Sequence, residues 1–328
     1  MIDQDQRIIS LDGWRGIAIL MVLIDHYQTF YLRIPALPWL DLGQHGVQGF
    51  FVLSGYLITS HLLAEEHIDL KTFYVRRLFR IMPAATTFLL IVCLLRLTNG
   101  DFRDFDIFGC LLVFRNYLGQ TSVNTYTAHF WSLSIEEQFY LFWPAILATA
   151  GRCRASIIAV SLIISIAIFR ILNWNYYSNF YTGYMHTEIR ADGLLIGCVL
   201  AIVVADKAFY ARMERWARPA FWLALIVFAL DTLCFHEIIP LHESVAIAVM
   251  LGATSIKPQL LVSRALECAP LKIMGAWSYS IYLWQGLFLR STAGPAWPVL
   301  LVGSALVSYY LIEQPFRQAG RRFIARRS

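Results

Sequence analysis

Apolar stretches long enough to cross a bilayer alternate with short polar stretches from residue 13 to residue 313. A transmembrane helix needs roughly 20 mainly apolar residues. On that criterion the pattern predicts spans at about 13–32, 46–63, 82–97, 130–150, 155–173, 187–205, 219–235, 241–257, 273–292 and 296–313. The segment 105–118 (FDIFGCLLVFRNYL) is shorter and interrupted by Arg115, so it reads as a surface or re-entrant helix in an external loop. Trp39, Trp131, Trp174, Trp222 and Trp297 fall near span ends, where interfacial aromatics belong.

Composition supports that picture. The 328 residues are 58% hydrophobic and 15% charged, and the mean hydropathy is +0.56. With 105–118 outside the count and the start inside, the cytoplasmic segments collect most of the 27 Lys and Arg residues. The positive-inside rule then puts both termini in the cytoplasm. The expected fold is an all-α integral membrane protein, a bundle of about ten transmembrane helices. It forms one domain over residues 1–328, with no appended soluble domain.

The formal charge of +5 belongs to cytoplasmic loops and is no sign of nucleic acid. The six cysteines are scattered, with no CxxC. His236-Glu237 and His242-Glu243 do not make HExxH, so no metal is expected. The polar N-terminus lacks the pattern of a cleaved signal peptide.

An ionisable residue inside a span costs about 2.5–3.5 kcal/mol on insertion scales, so each one needs a reason. Arg96, Arg170 and Arg290 lie at span ends and are expected to snorkel. Arg15 and His26 are different. Eleven residues apart, they share one helix face, separated by about 16 Å along the axis. Arg15 then sits low and His26 in the outer half. Glu136 and Glu137, in HFWSLSIEEQFYLFWP, lie at a matching depth below Trp131, and adjacent helical positions let at most one of them aim at His26. Arg190 and Asp192 open another inward-going span, as a structural ion pair or as ligand contacts. On the inner side, Arg76, Arg77 and Arg80 are a positive-inside anchor or a phosphate site, since guanidinium holds phosphate in a bidentate fork. Two sites at two depths emerge: an inner anion site that includes Arg15, and an outer His/carboxylate cluster.

The ordered set of stretches resembles the membrane acyltransferase 3 family. Its elements here are Arg15-x10-His26, GFFVLSGYLIT (49–59), the Arg76-Arg77-x-x-Arg80-Ile81-x-Pro83 loop, WSLSxEExFYxxxP from Trp131 to Pro144, SYSxYLW from Ser278 to Trp284, and Glu313-x-Pro315. Many members carry His after SYSxYLW, where this chain has Gln285, which retains the capacity to bond a sugar hydroxyl. The resemblance implies an acyl-CoA co-substrate, usually acetyl-CoA, and a carbohydrate or lipid-linked glycan acceptor. Arg15, Arg76, Arg77 and Arg80 would then bind the donor, and Arg190, Asp192, Tyr282 and Gln285 the acceptor. His26 would act as general base with Glu136 or Glu137, or alternatively as a nucleophile carrying the acyl group. A bacterial cytoplasmic-membrane setting, with membrane lipids and glycan-assembly proteins as neighbours, follows from the same likeness. The competing expectation is a proton-coupled transporter or flippase. It would show internal repetition, and no second copy of Arg-x10-His or SLSxEE is present.

Overall fold

The computed structural model describes residues 9–28, 40–99, 105–118, 126–173, 184–234, 240–288 and 296–326. Among the described residues the secondary structure is helical throughout, with no strand. In chain order the helices are α1 Ile9–Tyr27, α2 Leu42–Ala64, α3 Leu70–Asn99, α4 Phe105–Leu111, a 3₁₀ turn Arg115–Tyr117, α5 Phe130–Leu172, α6 Thr187–Val204, α7 Lys207–Cys234, α8 Pro240–Ile256, α9 Leu261–Leu266, α10 Ala269–Phe288, α11 Trp297–Val307, a π turn Ser308–Glu313, and α12 Gln314–Ala325. Among the described residues, five stretches are long and apolar enough to cross a membrane: Leu42–Ala64, Leu70–Thr98, Phe130–Leu172, Lys207–Leu233 and Trp297–Ala325. At 1.5 Å per residue, the seven-residue α4 cannot cross.

The helices fall into two compact bodies. The first comprises Met1–Ile68 and Phe139–Ala276, the second Asp69–Gln138 and Trp277–Ser328.

In the first body α2 is central, packing against α1, α6 and α8. Its contact with α6 is backbone to backbone. A Cβ at Gly55 would stand 1.9 Å from the Leu194 carbonyl oxygen, and one at Gly197 would stand 2.1 Å from that of Val52. Only glycine fits at either position. In a bundle without a hydrophobic drive between helices, small residues let backbones approach and dispersion forces hold them. Within α5, Gly151 has φ 72° and ψ 168°, which breaks the helical run inside the AGRCR stretch separating two expected spans. Just beyond, Arg152 donates from Nη2 to the Ile202 carbonyl at 2.7 Å.

In the second body, Asp69 caps α3. Its Oδ1 accepts from the Lys71 and Thr72 amides at 3.0 and 3.2 Å, and bonding to the Thr72 hydroxyl and amide holds its carboxyl below the usual carboxylate range. α12 lies on α3, with Gly320 against Phe79 and the Phe79 and Phe323 rings 6.1 Å apart.

Two arginines expected to snorkel are instead buried in ion pairs. Arg96 meets Asp106 at 3.4 Å. Arg170 donates to Asp192 at 2.7 Å and to the Ile189 carbonyl at 2.6 Å. Distance from a span end is a poor guide when another element brings a carboxylate within reach. Arg290, Trp39 and Trp174 lie outside the described residues. Trp222 is half exposed and Trp131 is buried.

Candidate functional site

His26 lies in the last turn of α1, half-buried, in the first body. Arg15, on the same helix, is 3.7 Å from Asp12 one turn before it. The end of α1 that carries His26 abuts the start of α2, since a Cβ at Gly43 would be 2.7 Å from Asp25 Oδ2. Asp41, immediately before α2, adopts a left-handed conformation at φ 40°, ψ 43°. Burial, reinforced by the negative charge of Asp25, pushes its carboxyl up to about 6.

From Asp41 the polar positions 41, 44, 45 and 48 follow the i, i+3, i+4, i+7 spacing of a single helix face. Gln44, His45 and Gln48 are all buried. Each is tied to a neighbouring helix of the same body. Gln44 Oε1 accepts from Arg190 Nη2 at 3.3 Å. His45 Nδ1 is 2.8 Å from Glu243 Oε1, and its Nε2 is 3.3 Å from Thr232 Oγ1. Gln48 Nε2 bonds the Ser244 hydroxyl.

The expected acceptor residues Arg190 and Asp192 are both fully buried. They do not pair with each other. Asp192 takes Arg170, while Arg190 donates to the Tyr184 hydroxyl and lies over the Tyr184 ring at 4.7 Å. Cation–π contact and hydrogen bonding together make burial of this guanidinium tolerable.

The second body holds the other expected residues. Arg77 Nε is 3.5 Å from Glu137 Oε1, and Arg80 also acts on that carboxylate. The structure thus brings a residue expected at the donor site together with one of the two glutamates expected at the chemistry. Arg76 is exposed and Arg80 partly buried. Glu136 follows Ile135 in the first two turns of α5, partly buried. A narrow, largely apolar cavity lies beside Glu137, lined by Ile81, Met82, Ala85 and Leu89 of α3 and by Phe130, Leu133 and Ser134 of α5.

The SYSxYLW stretch supplies cross-ties within this body. Tyr279 donates to the Ile81 carbonyl at 2.9 Å, and Ser280 bonds the buried Glu313. Tyr282 shares a hydrogen bond with Ser132 and donates to the His129 carbonyl at 3.1 Å. Gln285 is buried.

Sequence reasoning missed His45, Glu243, Gln44, Gln48 and Tyr184. Gln44, His45 and Gln48 had a visible signal in the polar stripe 41/44/45/48, which the adjoining FFVLSG run masked. Among the described residues, no group of three or more His, Cys, Asp or Glu is arranged to hold a metal.

Several membrane-length apolar helices, with charged residues buried between helices, mark a multi-pass membrane protein. Its family is specific: a model of the Acyltransferase domain family matches residues 8–313, running through both bodies, and the chain belongs to that family. Similar curated proteins include a putative peptidoglycan O-acetyltransferase, YrhL, of Bacillus subtilis (strain 168), 30% identical over 99% of this chain and 57% of that protein. Peptidoglycan O-acetyltransferase OatA of Listeria monocytogenes is 28% identical over 95% of this chain and 56% of its own length. A putative O-acetyltransferase of Staphylococcus aureus (strain COL) is 29% identical, over 95% and 58% respectively. The chain therefore spans 56–58% of the length of these relatives. No solved structure matches.

Proposed function

We propose that the protein is a membrane O-acyltransferase that moves an acyl group, acetyl foremost, from acyl-CoA to a carbohydrate hydroxyl. Membership of the acyltransferase family carries this reading. The relatives' names make peptidoglycan the acceptor class to try first. Transport is not favoured, because the family is one of group transfer.

His26 is the base. The acceptor O–H gives its proton to the imidazole as the oxygen attacks the thioester carbonyl. The C–S bond breaks, and the imidazolium returns the proton to the departing thiolate, so the site ends neutral. A carboxylate stabilises the imidazolium. Glu136 or Glu137 takes this role. Arg15, Arg76, Arg77 and Arg80 bind the phosphates of the donor, Arg190 and Asp192 belong to the acceptor side, and Tyr282 and Gln285 complete the polar lining. The chain crosses a bacterial cytoplasmic membrane about ten times with both termini inside, which gives the donor a cytoplasmic entry and the acceptor an outer one.

The test is acyl transfer by purified protein from acetyl-CoA to a soluble peptidoglycan fragment, followed by mass spectrometry. One added acetyl group per modified hydroxyl is expected. No transfer by protein that binds acetyl-CoA would overturn the acceptor assignment, and no binding of acetyl-CoA would overturn the donor assignment.

A further inference from the structure

We propose that the buried polar face of α2, with Glu243 opposite it, is the wall that recognises an acceptor hydroxyl: Gln48 and Glu243 each hold out a hydrogen-bond acceptor for it. The inference rests on the O-acyltransferase reading above and names where in the first body the acceptor is held.

The hydrogen-bond inventory leads there. Most polar atoms of the stripe are matched, and two are not. Among the described residues, Gln48 Oε1 and Glu243 Oε2 have no hydrogen-bond partner, although Gln48 is 0% and Glu243 1% exposed. Turning the Gln48 amide over changes which of its atoms is left over, not that one is. Leaving a buried acceptor unmatched costs about 1–3 kcal/mol, more for a charged group. With the amide oriented as here, the two left-over atoms are acceptors on facing residues of one cluster, open to a donor that the described residues do not supply.

Counting protons shows what kind of donor. The Thr232 hydroxyl donates to the Phe228 carbonyl at 2.9 Å. Its oxygen must therefore accept from His45, which puts a hydrogen on Nε2. The 2.8 Å contact between His45 Nδ1 and Glu243 Oε1 then needs one further proton, shared between them. The pair is neutral as a unit, with negative charge left towards Glu243 Oε2. The other charged groups acting on His45 are Asp41 and Asp231, both acidic. One buried guanidinium, Arg190 on Gln44, stands against Asp41, Asp231 and Glu243, so an anion is disfavoured, and no metal-ligand cluster exists among the described residues. A neutral O–H donor fits, the group that a carbohydrate presents.

Placement agrees. The stripe occupies the first two turns of α2, whose start abuts Asp25, the residue before His26. Gln48 owes its seat to α6, where a Cβ on Gly193 would stand 2.5 Å from Nε2. A hydroxyl held at this wall lies at the end of the first body that carries the base.

A sugar hydroxyl and a fixed water share this chemistry, and Gln48→Leu separates them. If the wall holds only water or serves only packing, replacing an amide whose oxygen is unmatched by an apolar side chain leaves substrate kinetics unchanged. If it binds the acceptor, KM for a soluble peptidoglycan fragment rises about three- to tenfold while acetyl-CoA affinity stays put. Glu243→Gln, which keeps volume, raises the same KM. Rates are measured in native membranes, where KM does not depend on how much variant inserts. Fragments lacking one hydroxyl at a time refine the result: the deoxy position that weakens binding to the wild type has no further effect in Gln48→Leu. Unchanged acceptor KM in both variants would overturn the inference and leave the acyltransferase reading intact. Absence of transfer by the wild type would overturn the reading itself.

Discussion

α2 and α3 handle polar residues in opposite ways. α2 turns Gln44, His45 and Gln48 into the first body, each closed on a partner from another helix. α3 sets Arg76, Arg77 and Arg80 near one end of a long helix, from exposed to partly buried, with Arg77 3.5 Å from the Glu137 carboxylate. The first arrangement suits a low-dielectric interior, where an unmatched polar group is expensive. The second suits a highly charged, hydrated ligand, because cations that keep access to solvent do not pay the full cost of burial before binding. On the function proposed above, the same contrast separates recognition of a neutral hydroxyl from recognition of phosphates.

Breaking a closed pair in the first body is the largest expected perturbation. Asp192→Ala leaves Arg170 as a buried cation without its carboxylate, and loss of one partner of a buried pair costs about 3–5 kcal/mol. Thermal or denaturant unfolding in detergent measures it. Arg76→Ala, at an exposed position, is expected to change stability by less than about 0.5 kcal/mol. Equal effects would erase the distinction between the two helices.

The donor side responds in affinity instead. Arg77→Ala and Arg80→Ala should each weaken acetyl-CoA binding by roughly tenfold or more, given about 1.5–3 kcal/mol for a hydrogen bond to a charged group. The loss is greater at low ionic strength, where Coulomb attraction is less screened. Arg→Lys should restore binding only in part, since ammonium lacks the fork. Titration with acetyl-CoA reads both effects, and an unaffected triple variant of Arg76, Arg77 and Arg80 would remove α3 from the donor site.

Asp41 offers a smaller and more selective lever. Its carboxyl is raised from 3.8 to about 6, so the folded state favours the protonated form. Stability from this source is fully present below about pH 4 and is lost as pH rises through about 6. Asp41→Asn should remove that dependence and stabilise the protein at pH 7 by on the order of 1–2 kcal/mol, discounted for residual solvent contact. Asn also tolerates the left-handed backbone at this position. A wild-type unfolding profile flat between pH 5 and 7 would contradict the assignment.

Much of this architecture is legible from residue order. AGRCR holds the break at Gly151, and Arg115 with a short apolar run marks a segment that does not cross. Arg15, His26 and the α3 arginines stand out because charge in an apolar stretch demands a reason. Partnership is what the sequence conceals. Arg96 and Arg170 look like span-end arginines until Asp106 and Asp192 arrive from other helices. Glu243, beside His242, suggests only a failed metal motif, yet it is the partner of a histidine 198 residues away in the chain. Long-range pairing is set by helix packing, which local periodicity does not encode.

The central claim is that His26 carries acyl transfer. The direct measurement is initial-rate acetylation of a soluble peptidoglycan fragment by purified wild-type and His26→Ala protein, with acetyl-CoA affinity measured on the same samples. Loss of a general base lowers the rate by about 10²–10⁴, and donor affinity is expected to remain at the wild-type value. A His26→Ala protein that binds acetyl-CoA and acetylates the fragment at a rate near wild type would contradict the account.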